Sequence, residues 1–182
     1  MTLALEVIGL GKRFVAGAGS CFAANSVLRG VDLEVERGDA AAIVGAKGSG
    51  RSTLLLCIAG LLSPDEGVVR RFGDESRAAA ARCTRFHMNV EDLRQAEDSP
   101  EAKLHLVDLR DSPALPLARL NRWLADQVDG GGAALVVADS IDVGRHLARR
   151  VLILRDGRLH DSARPQARVA ESRFVDRSFE RV

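Results

Sequence analysis

Ala40-Ala41-Ala42-Ile43-Val44-Gly45-Ala46-Lys47-Gly48-Ser49-Gly50-Arg51-Ser52-Thr53 is the stretch that decides the fold. Residues 40–44 are a short, wholly apolar run, the pattern of a strand buried on both faces. Residues 52–62 are apolar on nearly every face, which predicts a buried helix. Between them, Gly45, Gly48 and Gly50 alternate with small and hydroxyl residues. Glycines at that spacing let successive backbone N–H groups turn inward around a phosphate, and the following helix aims its positive end at the same point.

The spacing is that of the phosphate-binding loop G-x-x-x-x-G-K-[ST], with Arg51 at the lysine position. The candidate nucleotide ligands in this loop are Gly45, Lys47, Gly48, Ser49, Gly50, Arg51, Ser52 and Thr53. Ser52 is placed to offer its hydroxyl to Mg²⁺. Arginine is not equivalent to lysine there. The guanidinium is wide and planar and needs a fork-shaped partner, so its charge is misplaced for the outer phosphates. Lys47 either reaches the phosphate from the other side of the loop or stays solvated.

Working outward, residues 3–10 read as a strand and the Gly/Ala-rich residues 15–25 as a loop or an extended hairpin turn. Val31, Leu33 and Val35 alternate with Asp32, Glu34 and Glu36, the period of a half-buried strand. On the other side, Ser63-Pro64-Asp65-Glu66-Gly67 is turn chemistry, followed by a strand over 68–72. Residues 73–102 show no sustained period and are assigned one or two short helices. A strand over 104–107 ends at Asp108. Leu117, Leu120, Leu124 and Val128 predict a helix stopped by Gly130-Gly131-Gly132. A strand over 133–138, a helix over 141–149, a strand over 151–154 and a hairpin turn at 155–158 follow. The fold class is α/β: a mostly parallel sheet with an antiparallel N-terminal β piece. The loop is expected at the carboxyl end of a central strand, next to the strand that ends at Asp108. Residues 1–160 are expected to form the domain, and residues 161–182 an Arg-rich tail.

The 182 residues, 46% apolar and 28% charged, suit one soluble domain with a sizeable core. A net charge of +1 with interspersed signs argues against a nucleic-acid partner. No apolar run approaches the roughly 20 residues needed to span a bilayer, and no secretory leader is read at the start. Cys21, Cys57 and Cys83 lack metal-like spacing and read as reduced thiols of a cytoplasmic protein. His87, His105, His146 and His160 show no ligand spacing, and Trp123 reads as core or helix packing.

Val27-Leu28-Arg29-Gly30-Val31-Asp32-Leu33-Glu34-Val35, the phosphate loop and residues 54–67 (LLLCIAGLLSPDEG) closely resemble the first half of an ABC transporter ATP-binding subunit. Residues 150–159 (RVLILRDGRL) resemble the strand-turn-strand that follows the switch histidine of that family. The resemblance implies a P-loop NTPase core binding ATP or ADP with Mg²⁺. Asp108 matches the family's Mg²⁺-holding aspartate, and Phe14 sits where the family stacks an aromatic on adenine, unless it is a core residue at a strand end. It also implies departures. Leu109 stands where a catalytic glutamate belongs, and Asp139 where the switch histidine belongs. Ser52 and Asp108 are only 56 positions apart, roughly half of the family's spacing, and no LSGGQ-like signature is found. The helical subdomain that carries it is thus expected to be largely deleted between 73 and 102.

The expected function is a nucleotide-binding module that binds weakly and has lost hydrolysis. It would be a regulatory or structural subunit of an ABC-type complex, at the inner face of the membrane, beside a permease or an intact ATPase subunit. Two alternatives stay open: a scaffold that no longer binds nucleotide, and an active ATPase with unusual catalytic residues.

Overall fold

A computed structural model describes residues 2–16, 23–87, 103–109 and 117–162. Cys21, residues 88–102 of the segment expected to carry the deletion, and residues 163–182 of the tail lie outside the described residues. The elements in chain order are β1 (Leu3–Ala16), β2 (Ala23–Glu36), β3 (Asp39–Val44), α1 (Arg51–Ile58), β4 (Glu66–Arg71), α2 (Arg77–Cys83) and β5 (Thr84–His87). They continue with β6 (Leu104–Asp108), α3 (Leu117–Asp129), β7 (Ala133–Val137), α4 (Ile141–Leu147), β8 (Arg150–Arg155) and β9 (Arg158–Asp161).

Two sheets form. One is antiparallel with the order β2-β1-β4, and the other has the order β5-β6-β7-β3-β8-β9. The second is parallel throughout except for β9, which returns antiparallel to β8. This is the expected α/β core with its antiparallel N-terminal piece. One expected adjacency is corrected. The strand that ends at Asp108 does not neighbour β3, because β7 lies between them and pairs with both. All five residues of β7 are apolar and buried, so it belongs at the centre, with both faces covered. At about 4.8 Å per strand step, Asp108 lies roughly 10 Å across the sheet from the level of Ile43.

The largest apolar cluster fills the space between the two sheets. It joins Leu5, Val7 and Leu10 of β1, Leu28, Val31, Leu33 and Val35 of β2, and Ile43, Leu106, Leu135 and Leu152 of the parallel sheet. Helix α1 lies in that layer, with Leu54, Leu55 and Ile58 wholly buried. Each such side chain contributes about 1.5–3 kcal/mol. A smaller cluster on the opposite face packs Leu120 and Leu124 of α3 on Val107, Ala134 and Val136.

Helix α1 ends at Ile58, short of the expected residue 62. Gly60 takes the left-handed conformation (φ 74°), and the N–H groups of Leu61 and Leu62 both return to the Leu56 carbonyl. That closes the helix in the manner of a glycine C-cap. Arg71, buried, then donates from Nε to the Ile58 carbonyl (2.6 Å) and from Nη2 to the Cys57 carbonyl (3.1 Å). Desolvation lowers the Arg71 pKa below its ordinary value. The turn at 63–67 has a tying role. Asp65 accepts from the Arg13 N–H (2.6 Å) and from Lys12 Nζ (3.0 Å). The Arg13 backbone bond, then the Lys12 bond, hold its pKa below the usual carboxylate range.

Candidate functional site

The loop of residues 45–50 leaves β3 at the carboxyl end of the parallel sheet and enters α1 directly. Gly50 is the N-cap of α1 in the left-handed region (φ 101°), and no side chain caps the helix. The Leu54 N–H is bonded to the Gly50 carbonyl at 2.9 Å, so the N–H groups of Arg51, Ser52 and Thr53 precede the helix's own ladder. They are the donors that an anion would take. Gly48 also needs the left-handed region (φ 85°), but open space surrounds it, so the loop is accessible from that side. Gly45 packs closely: a side chain there would press on the Leu154 carbonyl and on Ser49 Oγ. Ser49 Oγ is buried and has no hydrogen-bond partner.

Sequence expectations for the remaining residues meet the structure unevenly. Lys47 is exposed and lines a cleft of about 530 Å³ together with Ser26, Arg29, Arg155 and Asp156. Ser52 and Thr53 are half-buried at the start of α1. Asp108 closes β6 at the same edge of the sheet, in register with Val137. Phe14 is 41% exposed, which removes the core reading of that ring. It lies opposite Asn25, a residue that lines the cleft beside the loop, and Lys12 Nζ stands 5.7 Å from its centroid.

Arg51 reaches the residues that follow β7. Its side chain is only 7% exposed, and Nη1 donates to the Ala138 carbonyl at 3.0 Å. The same nitrogen lies 3.8 Å from Asp139 Oδ1. The sequence reading treated Arg51 and Asp139 as separate departures; the fold brings them together. Leu109 is also settled in place. It is buried in the cluster with Leu120 and Leu124, and its N–H donates to the Val137 carbonyl at 3.0 Å.

Two histidines that showed no spacing in the sequence meet because β5, absent from the sequence reading, pairs with β6. His87 Nε2 and His105 Nδ1 are 3.2 Å apart and buried, and Trp123 meets both rings edge-on. No group of three or more His, Cys, Asp or Glu among the described residues is arranged to hold a metal.

The sequence profile of the family described as ABC transporter matches residues 28–149. The chain belongs to the ABC transporter family. An aliphatic sulfonates import ATP-binding protein from Rhodopseudomonas palustris (strain BisA53) is 32% identical over 208 aligned positions, covering 81% of this chain and 74% of that protein. A second aliphatic sulfonates import ATP-binding protein, from Nocardia farcinica (strain IFM 10152), is 57% identical over 47 residues, or 26% of this chain and 19% of that protein. Short matches of this kind span between 8% and 20% of the relatives' own length. Among solved structures, a dimeric post-hydrolysis state of the ATP-binding cassette MJ0796, bound to ADP and Pi, superposes with a TM-score of 0.66. It is 18% identical and covers 86% of this chain and 96% of that one. At that identity the likeness establishes the cassette fold.

The donor set suits the diphosphate part of a nucleotide with Mg²⁺. The uncapped start of α1 and the open side at Gly48 form a cradle built from backbone, with the unpartnered Ser49 hydroxyl buried beside it. The Ser52 hydroxyl and the Asp108 carboxylate are oxygen donors of the kind a hard cation takes. Among the described residues, no helix is long and apolar enough to cross a membrane.

Proposed function

We propose that this ABC-family chain binds ATP or ADP weakly through its phosphate loop, does not hydrolyse ATP, and serves as a regulatory or structural subunit of an ABC-type complex. The observation that carries the binding half is the uncapped N-terminus of α1 behind a glycine loop at the end of β3. Those donors are backbone groups, so Arg51 does not remove them. Mg²⁺ would be held through Ser52 and Asp108, and Phe14 would stack on the base from its exposed strand position.

The loss of hydrolysis rests on the other half. Phosphoryl transfer depends on positioning and charge stabilisation. The position expected to orient the attacking water is Leu109, packed into the core under α3. The guanidinium expected at the outer phosphates is bonded to Ala138 instead. The alignment with the Rhodopseudomonas protein extends over more positions than the share of this chain it uses, which supports a shortening relative to that protein; we place it between 73 and 102, where the sequence resemblance to the family lapses. A permease or an intact ATPase subunit would be the partner, at the inner face of the membrane. The internal engagement of Arg51 also favours a second reading, a scaffold that no longer binds nucleotide.

Calorimetry separates them. Titration of ADP and ATP into the purified chain, with and without Mg²⁺, is expected to show one site that weakens on removing Mg²⁺ and in Ser52→Ala. Absence of heat for both nucleotides, with folding intact, selects the scaffold.

A further inference from the structure

We propose that Arg51 and Asp139 act as a pair that fills the outer-phosphate subsite and selects nucleoside diphosphates over triphosphates. The inference rests on the nucleotide-binding reading above and names the ligand class of that site. Three observations carry it. First, the guanidinium donates to the Ala138 carbonyl, just past the end of β7, at 3.0 Å, with only 7% of the side chain exposed. Second, that carbonyl is fixed, because Ala138 is wholly buried and its own N–H donates to the Ile43 carbonyl at 3.0 Å. Third, the Asp139 carboxylate is 62% exposed and stands 3.8 Å from the same nitrogen.

The position of Asp139 is set by the fold. Ser140, the next residue, caps α4 through the Val143 N–H at 3.2 Å. Gly144 lets that helix sit against Ala42 and Val151, where a side chain would meet both at 3.3 Å. The carboxylate is therefore presented at the carboxyl edge of the sheet, beside the start of α1, rather than on a loose loop. A pair at 3.8 Å with one buried and one exposed partner contributes modest attraction by itself. Its effect is on what can enter. A third phosphate reaching past the loop would meet the exposed Asp139 carboxylate, while the guanidinium beside it already donates to Ala138 and faces Asp139; two like charges brought a few ångströms apart in a partly solvated site are expected to cost about fivefold to tenfold in affinity. The first two phosphates meet backbone donors instead and do not reach Asp139. Two substitutions that each weaken triphosphate handling become a single device once they are neighbours.

The test is equilibrium titration of MgADP and MgATP into wild type and Asp139→Asn, an isosteric change that removes the charge. In wild type, ADP is expected to bind about fivefold to tenfold tighter than ATP. In Asp139→Asn the ratio is expected to fall to within twofold, chiefly through tighter ATP. A wild-type preference for ATP, or an unchanged ratio in the variant, overturns the proposal. If neither nucleotide binds wild type, the function proposed above fails and this proposal with it; if both bind and only the ratio is unmoved in Asp139→Asn, the proposed function stands and the pair alone is overturned.

Discussion

The phosphate loop and the ends of β6 and β7 lie at the same edge of one sheet but carry their chemistry differently. On the function proposed above, residues 45–53 would work through backbone N–H groups, glycine conformations and a helix terminus. The positions after β6 and β7 would work through side chains, and those are Leu109 and Asp139. A backbone cradle tolerates the exchange of a neighbouring side chain, as at Arg51, because its donors do not depend on residue identity. A site built of side chains does not. A binding function can therefore outlast a catalytic one on the same scaffold.

The largest expected effect breaks the side-chain half. Purified chain is expected to release phosphate from ATP several orders of magnitude more slowly than an intact cassette, because positioning is most of the catalysis. Arg51→Lys combined with Leu109→Glu is not expected to restore it. The glutamate would enter the cluster around Leu120 and Leu124, and burying that charge is expected to destabilise the fold by about 2–4 kcal/mol, read by urea unfolding. Phosphate release by wild type that Ser52→Ala abolishes would show that the side-chain half still works.

A second effect, at the far end of the same helix, is almost as large. Arg71 satisfies the last carbonyls of α1 from a buried position. Arg71→Leu leaves the Ile58 carbonyl without that donor and the Cys57 carbonyl with the Gly60 N–H, and is expected to cost about 2–3 kcal/mol, again by urea unfolding. A shift in nucleotide affinity larger than the stability loss explains would place the two ends of α1 in one functional unit.

Two glycines sharpen the comparison within the loop. At Gly50 a side chain would meet Leu28 and Val27 at 3.0 Å, on top of a left-handed backbone. At Gly48 only the backbone conformation is at issue. Gly50→Ala is expected to destabilise by about 2–3 kcal/mol and Gly48→Ala by about 1 kcal/mol. A valine at residue 50 would thus test the packing of the loop on β2 before it tested phosphate approach, so Gly48→Ala is the cleaner probe. Equal costs at both sites would mean that conformation alone governs the loop.

The smallest expected effect is at Cys57 in α1. Burial pushes its thiol up to about 11, so little thiolate forms near pH 8. Alkylation at that pH is expected to be markedly slower at Cys57 than at the more exposed Cys83, as read by peptide mass mapping.

What was legible in the sequence follows the same division. Strong local signals located β3, α1 and the loop, because an apolar run, a glycine pattern and a buried helix agree over residues 40–58. The alternation at Val31, Leu33 and Val35 marked β2, and the triple glycine at 130–132 marked the end of α3. Strand β5 was not legible, since Thr84-Arg85-Phe86-His87 has no clear period and is a strand because β6 offers it a parallel edge. The place of β7 between β3 and β6 is a matter of long-range pairing that spacing does not reveal. The meeting of Arg51 with Ala138, 87 positions apart, and with Asp139 beside it, and that of His87 with His105, depend on that order of strands. A charge of each sign at two departures from the family pattern was the available hint to the first pair.

The most direct measurement is the affinity of MgADP for Arg51→Ala compared with wild type, by calorimetry. The backbone cradle expects the two to agree within about threefold, since the guanidinium is spent on Ala138 and the donors lie in residues 48–53. A loss of more than about tenfold, equal to about 1.4 kcal/mol, would show that the side chain of Arg51 holds the nucleotide and would contradict the account.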